Sequence, residues 1–403
     1  MPDETDKERG KENQRDSSQP VGSSGIAAPT PSGISSKKSR EMEKKASVEV
    51  TREKSRRKMP ARIDNGRFEV IKKVGAGCFG EVYKGFDTTT QTEVAIKFED
   101  GNSTAPQLDH ENQTLSILKQ PSLPQGFVEC FFYGQEGVPS TPLNCLVMEF
   151  LGNSLEDRVE KCHGHFSVKT ATLIAEQVLY RIEYLHSKGI VHRDIKPENF
   201  MFGIKGKVHH LYLIDFGLSK KYWDRRHIPP RQKLSLTGTA RYASINAHRG
   251  CEQGRRDDLE AIGHMLIYFL RGSLPWSGLE AKTKQEKFNK IKEKKERVPL
   301  EELCSGYPDA FMRNLQIARN LEFTARPDYD GLQRLFRGVR DSQGPWEDHE
   351  FQWFENQDAS FAKNLVPLIP RVRLAQPDDD KRQVNARRST SLFCCGGKSP
   401  VRD

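Results

Sequence analysis

Between residues 67 and 99 three short runs, RFEVIKKV, EVYKGF and TEVAIKFE, alternate apolar and polar residues and are joined by tight turns. The first turn is GAGCFG, so Gly75, Gly77 and Gly80 form G-x-G-x-x-G. This stretch constrains the chain more than any other. Side chains alternate faces along a strand, so period-two runs separated by glycine predict an antiparallel meander. Glycines also let backbone N–H groups approach a phosphate with no side chain in the way. A dinucleotide-binding fold uses the same string with an acid about 20 residues on, and Glu99 stands near that distance. That fold needs a helix after the loop, whereas EVYKGF alternates like a strand. The strand-loop-strand context favours a hairpin that covers phosphates.

Further along, the period changes. SVKTATLIAEQVLYRIEYLHSKG (167–189) places Ile174, Val178, Ile182 and Leu185 at helical spacing, with Ser167 as N-cap and Gly189 as C-cap. RDDLEAIGHMLIYFLRG (256–272) reads as a largely buried helix. The expected fold class is therefore α+β, a small β-rich part followed by a larger helical one. Folded sequence is expected over residues 66–357. The preceding arm, 1–65, is rich in Ser, Pro, Gly and charge, and its first 62 residues hold no aromatic residue or Cys. Such a segment buries too little apolar surface to offset chain entropy. Within it KSRRKMPAR (54–62) is a basic patch of the kind that serves nuclear import or anionic surfaces. Beyond residue 357 the periodicity is lost again, and 358–403 reads as a flexible tail.

A net charge of +9 favours acidic partners, but no interleaved aromatic-basic motif points to nucleic acid. The eight cysteines form no C-x-x-C pair and read as reduced cytoplasmic thiols. KCHGHF, with Cys162, His163 and His165, lacks the second ligand pair of a metal site. No apolar run reaches the roughly 18 residues of a membrane span.

Within the third run, Val94-Ala95-Ile96-Lys97 supplies a lysine suited to neutralising α- and β-phosphates. A carboxylate must hold it. Glu111 in QLDHENQTLSIL is the candidate, and Asp109 competes because the helix rotation is open. IVHRDIKPENFMF (190–202) fits H-R-D-L-x-x-x-N with Ile195 for Leu, and LIDFGLS (213–219) supplies D-F-G. In that set Asp194 accepts the hydroxyl proton of an incoming substrate. Asn199 and Asp215 hold Mg²⁺, and Lys196 reaches the γ-phosphate.

With these motifs in order, residues 66–357 resemble a eukaryotic protein kinase. GTARYASINAHRGCEQGRRDDLEAIG (238–263) and LPWSGL (274–279) resemble the casein kinase 1 family, in which Ser-Ile-Asn (here Ser244-Ile245-Asn246) replaces Ala-Pro-Glu. The resemblance implies a two-lobed fold and transfer of phosphate from ATP with Mg²⁺ to Ser or Thr in acidic or already phosphorylated protein segments. It places the nucleotide against Val74, Gly75, Ala76, Gly77, Cys78, Phe79, Gly80, Glu81, Val82, Ala95 and Lys97. Met148 becomes the gatekeeper, with Glu149 and Leu151 in the hinge. It implies a substrate-phosphate site at Arg241, Gly278 and Lys287, with Arg193 and Lys220 as a second group. Glu280 departs from the more basic character usual in this region of the family. A monomer is expected.

The alternative is a catalytically inactive module that holds phosphoproteins, but such a module has no need of Lys97, Asp194, Asn199 and Asp215 together. KKYWDRRHIPPRQK, after the D-F-G, has little sign of one essential activating phosphosite. Activity without an upstream kinase is expected, with Ser389 and Ser391 as inhibitory autophosphorylation sites. Finally, Cys394 and Cys395 follow Leu392 and Phe393, with Arg387 and Arg388 upstream. They are candidates for S-palmitoylation and membrane anchoring.

Overall fold

The computed structural model describes residues 59–378 except 78–79, 139, 345, 358, 371 and 373. Six strands form one antiparallel sheet: β1 (Arg62–Ile63), β2 (Phe68–Gly77), β3 (Gly80–Asp87), β4 (Thr92–Asp100), β5 (Cys130–Val138) and β6 (Thr141–Glu149). Their order is β1-β2-β3-β4-β6-β5, so β2, β3 and β4 form the expected meander. Gly77 pairs with Gly80 at the hairpin tip. Gly80 has φ +157°, and a Cβ there would stand 2.0 Å from Phe98 O, so only glycine lets β3 start this close to β4. Ile63, Phe68, Val94, Ile96, Phe98 and Val147 form a small core against one face of the sheet. Successive strand residues face opposite ways. With Ile96 and Phe98 in that core, Ala95 and Lys97 face the other side.

Helix α1 (Leu108–Leu118) lies between β4 and β5 in sequence. Its start is fixed by Glu99, whose Oε1 accepts from Gln107 N at 2.6 Å. The acid raised by the dinucleotide reading thus caps a helix. Tyr184 OH donates to Leu118 O at 2.8 Å and ties the other end to the helical region.

That region is built on α2 (Leu155–Lys161), α3 (Val168–Ser187), α4 (Arg255–Arg271), α5 (Lys284–Arg297), α6 (Asp309–Asn320) and α7 (Tyr329–Gln343). Ser167 Oγ accepts from Thr170 N at 3.2 Å and starts α3, and Gly189 follows its end with φ +73°. α4 is buried along nearly its whole length and packs on α3 and α6. One continuous core runs from α1 through these helices. The fold is therefore α+β and two-lobed, with the chain between 190 and 221 lying where the lobes meet. Here the short strands β7 (Ile190–Val191), β8 (Phe200–Phe202), β9 (Leu211–Leu213) and β10 (Lys220–Lys221) pair β8 with β9 and β7 with β10. Past residue 357 the described chain continues along the helical lobe. Val366 N donates to Gly206 O at 2.9 Å, and Asp378 pairs with the buried Arg255 at 2.9 Å.

Candidate active site

β4 and α1 assemble the first half of the site. Lys97 Nζ lies 2.7 Å from Glu111 Oε1 and 2.9 Å from Oε2. Asp109, the competing acid, instead accepts from Gln113 on the exposed side of α1. Asp215 Oδ1 stands 3.8 Å from the same ammonium. Burial alone would lower the Lys97 pKa, but Glu111 and Asp215 outweigh it and hold the amine above its ordinary value. Burial likewise opposes ionisation of Asp215, yet Lys97, His192 and Lys196 keep its carboxyl below the usual range. His110 of α1 bonds Ser219 O at 2.8 Å, so the helix is also tied to the segment after the D-F-G.

The second half is the loop 190–202. Its charges are held individually, which is why they tolerate an apolar neighbourhood. Lys196 Nζ donates to Asp194 Oδ2 at 2.7 Å. Thr239 donates to Asp194 Oδ1 through both N, at 2.8 Å, and Oγ1, at 2.7 Å. Asn199 gives its amide N–H to Asp194 O at 2.9 Å, which turns its carbonyl oxygen the other way. Asp258 of α4 fastens the loop from beneath, accepting from His192 N at 2.8 Å, Arg193 N at 2.9 Å and the His186 ring at 2.9 Å. Arg193 and Asp215 have φ +67° and +64°, strained values that persist where surrounding bonds over-determine them. Gly238, at φ +92°, brings Thr239 to Asp194. A Cβ there would lie 2.2 Å from Arg193 O.

Across the cleft, Val82 pairs with Lys97 and Met148 with Ala95 in the sheet register. Met148 and Leu151 are buried. Glu81 accepts from Tyr83 OH at 2.8 Å, and Val74, Gly75 and Ala76 run toward the hairpin tip. Glu149 turns outward, its Oε1 3.4 Å from Tyr212 OH and 3.5 Å from Lys207 Nζ. It faces a cavity of about 520 Å³ that Phe150, His210 and Ile369 also line. That cavity touches none of Lys97, Asp194 or Asp215 and lies outside the cleft.

Of the basic residues, Arg241 is exposed, and its guanidinium lies 5.8 Å from the Tyr268 ring centroid. Trp276 Nε1 donates to Arg241 O at 2.7 Å and holds the turn containing Gly278 (φ +69°) nearby. Lys287 is exposed in the first turn of α5. Lys220 is engaged: its Nζ lies 2.7 Å from Glu252 Oε1, and Arg231 holds the other oxygen. Cys78, Phe79, Ser389, Ser391, Cys394 and Cys395 lie outside the described residues.

Thr239, Glu252 and Asp258 were not singled out from sequence. Thr239 and Glu252 carry no local signal. Asp258 had one, an acid in the first turn of an otherwise apolar helix. A family model described as a protein kinase domain matches residues 68–323.

Proposed function

The chain belongs to the protein kinase family, and from that premise we propose that it is an active Ser/Thr kinase of the casein kinase 1 type. The observation that carries this reading is the joint presence of the Lys97–Glu111 pair and of Asp194 held between Lys196 and Thr239. As a member of the family it uses ATP and a divalent metal. Mg²⁺ keeps several waters and binds through one or two carboxylates plus substrate phosphates. Asp215 and the carbonyl of Asn199 fit that demand. Among the described residues no group of three His, Cys, Asp or Glu forms a cage that would bind a metal without such phosphates. When bound, the metal offsets charge on the transferring phosphoryl group.

In the reaction the substrate hydroxyl oxygen bonds to the γ-phosphorus as the bond to the β,γ-bridging oxygen breaks. The hydroxyl proton passes to the Asp194 carboxylate. Thr239 and Lys196 fix the orientation of that carboxylate, and Lys97 meets the α- and β-phosphates. Asp194 serves as base and Lys196 as γ-phosphate contact. Arg241, Gly278 and Lys287 are proposed to receive a phosphate already on the substrate, through charge-assisted bonds. Retention of every catalytic group supports an enzyme over an inactive phosphoprotein-binding module.

The test is transfer of labelled phosphate from Mg²⁺-ATP to an acidic peptide carrying Ser, Thr and Tyr. Label confined to phosphoserine and phosphothreonine is expected. Label on tyrosine, or none, sinks the reading.

A further inference from the structure

The backbone that follows Thr239 turns four consecutive carbonyls into the helical lobe, and each meets a side chain. Lys295 Nζ, from α5, donates to Ala240 O at 3.0 Å and to Ala243 O at 2.5 Å. Trp276 Nε1 donates to Arg241 O at 2.7 Å. His264 Nδ1, from α4, lies 2.9 Å from Tyr242 O. His248 adds a second contact to Ala240 O at 3.0 Å. Lys295 and His264 are 0 % exposed and Trp276 is 2 % exposed. Lysine is almost never fully buried unless it is paired. Among the described residues the hydrogen-bond partners of Lys295 are these two carbonyls, and its ammonium also lies 5.2 Å from the Trp276 ring centroid.

The carbonyls belong to the strip between Thr239, which fixes Asp194, and Ser244-Ile245-Asn246. The carboxylates that steady the far end of the strip come from α4: Ser244 Oγ donates to Asp257 at 2.5 Å and Ile245 N to Glu260 at 3.3 Å. Glu260 is in turn held by Arg319 at 3.0 Å. The strip is thus anchored from the helical lobe along its length, while its outward side exposes Arg241.

We propose that Lys295 is a positioning residue for the protein substrate: it holds the carbonyls of Ala240 and Ala243 so that Arg241 faces the acceptor segment. Trp276 and His264 complete the same anchorage. This rests on the kinase reading above and adds to it the group that shapes the acceptor platform. Removing the ammonium leaves the Ala243 carbonyl unpaired and the Ala240 carbonyl with His248 alone, so the strip relaxes and peptide binding weakens. The nucleotide half of the site, built on β4 and α1, is untouched.

The experiment uses the full chain. Lys295→Met keeps an apolar side chain against Trp276 and deletes the donor. The KM for an acidic peptide is expected to rise about tenfold or more, the scale of a buried carbonyl left unpaired. The KM for ATP and the slow hydrolysis of ATP without peptide should stay within about twofold of wild type by the same reasoning. Ile291→Ala, a buried truncation in the same helix, is the control for lost stability and should lower Tm without raising the peptide KM selectively. An unchanged peptide KM in a folded Lys295→Met protein overturns the proposal. So does a parallel loss of peptide transfer and ATP hydrolysis. If Lys295→Met does not fold, Trp276→Phe decides in its place, since it keeps a ring and removes only the donor to Arg241 O. Its peptide KM is expected to rise and its ATP KM to hold, and an unmoved peptide KM rejects the anchorage. Absence of any turnover in wild type would instead remove the kinase premise, a result separable from all of these.

Discussion

Glu252 accepts a hydrogen bond from Lys220, Nζ to Oε1 at 2.7 Å, and the carboxylate is only 2 % exposed. Arg231 takes its other oxygen. Burial opposes ionisation of Glu252, but Lys220 and Arg231 outweigh it and hold its carboxyl below the ordinary value. The positive charge of Arg193 faces the same carboxylate. A fixed carboxylate therefore stands among the very bases expected to receive a second phosphate.

This relationship bears on activation. A resident anion is expected to order the segment after Asp215 with no phosphate added to it. Protein treated with phosphatase is expected to retain full activity, while Glu252→Gln should lose about tenfold or more in kcat, at about 1.5–3 kcal/mol for a charge-assisted bond. Steady-state kinetics on both proteins checks it. A wild type that needs loop phosphorylation contradicts the expectation.

Arg241 and Lys287, proposed to receive a substrate phosphate, are both exposed and not held in an ion pair among the described residues. Charge reversal at either is expected to raise KM for a phospho-primed peptide about tenfold or more and to change an unprimed one much less. Equal losses on the two peptides would show that these residues do not recognise phosphate.

Acid stability follows from one buried and one half-buried histidine. Burial, with His210 beside one and Lys295 beside the other, holds His209 and His248 at about 4. An unfolded histidine titrates near 6.5. Above about 6.5 both states are neutral and pH has no effect through these groups. As pH falls from about 6.5 toward about 4, the unfolded chain takes up protons that the fold refuses, so stability is lost. Asp87, held at about 2 by Arg67, contributes stability that is lost only at lower pH, below the ordinary carboxylate value. Tm is expected to decline through the histidine window, with a shallower slope in His248→Gln. A flat Tm across that window would contradict the assignment.

The tail carries a separate expectation from sequence. Cys394 and Cys395, near Arg387 and Arg388, are expected to be two acylation sites beside basic charge. No described helix is long and apolar enough to cross a membrane. Cell fractionation should find the wild type on membranes and Cys394→Ser, Cys395→Ser in the soluble fraction. Soluble wild type would reject the anchor.

The meander was legible because period-two patterning and glycine at the hairpin are local signals. α3 and α4 were legible for the same reason, through apolar spacing and end caps. The choice between Asp109 and Glu111 was not, because the rotation of α1 is set by Glu99 at its start and by Tyr184 at its end. Thr239, Glu252 and Asp258 stayed hidden for a related reason. Their partners Asp194, Lys220 and His192 lie 32–66 residues away in sequence, and only packing brings them together. Arg241 and Lys287 were singled out by resemblance alone, since exposed charge has no pattern of its own, and their role stays a proposal.

The central claim is that this chain transfers phosphate through Asp194. The most direct measurement is the rate of phosphate transfer from Mg²⁺-ATP to an acidic Ser-containing peptide by wild type and by Asp194→Asn, with ATP affinity measured on both. Turnover by wild type is expected, with a loss of at least about a hundredfold in Asp194→Asn, the lower range for a general base, and ATP affinity nearly unchanged. Equal turnover by the two proteins, or none by wild type that still binds ATP, would contradict it.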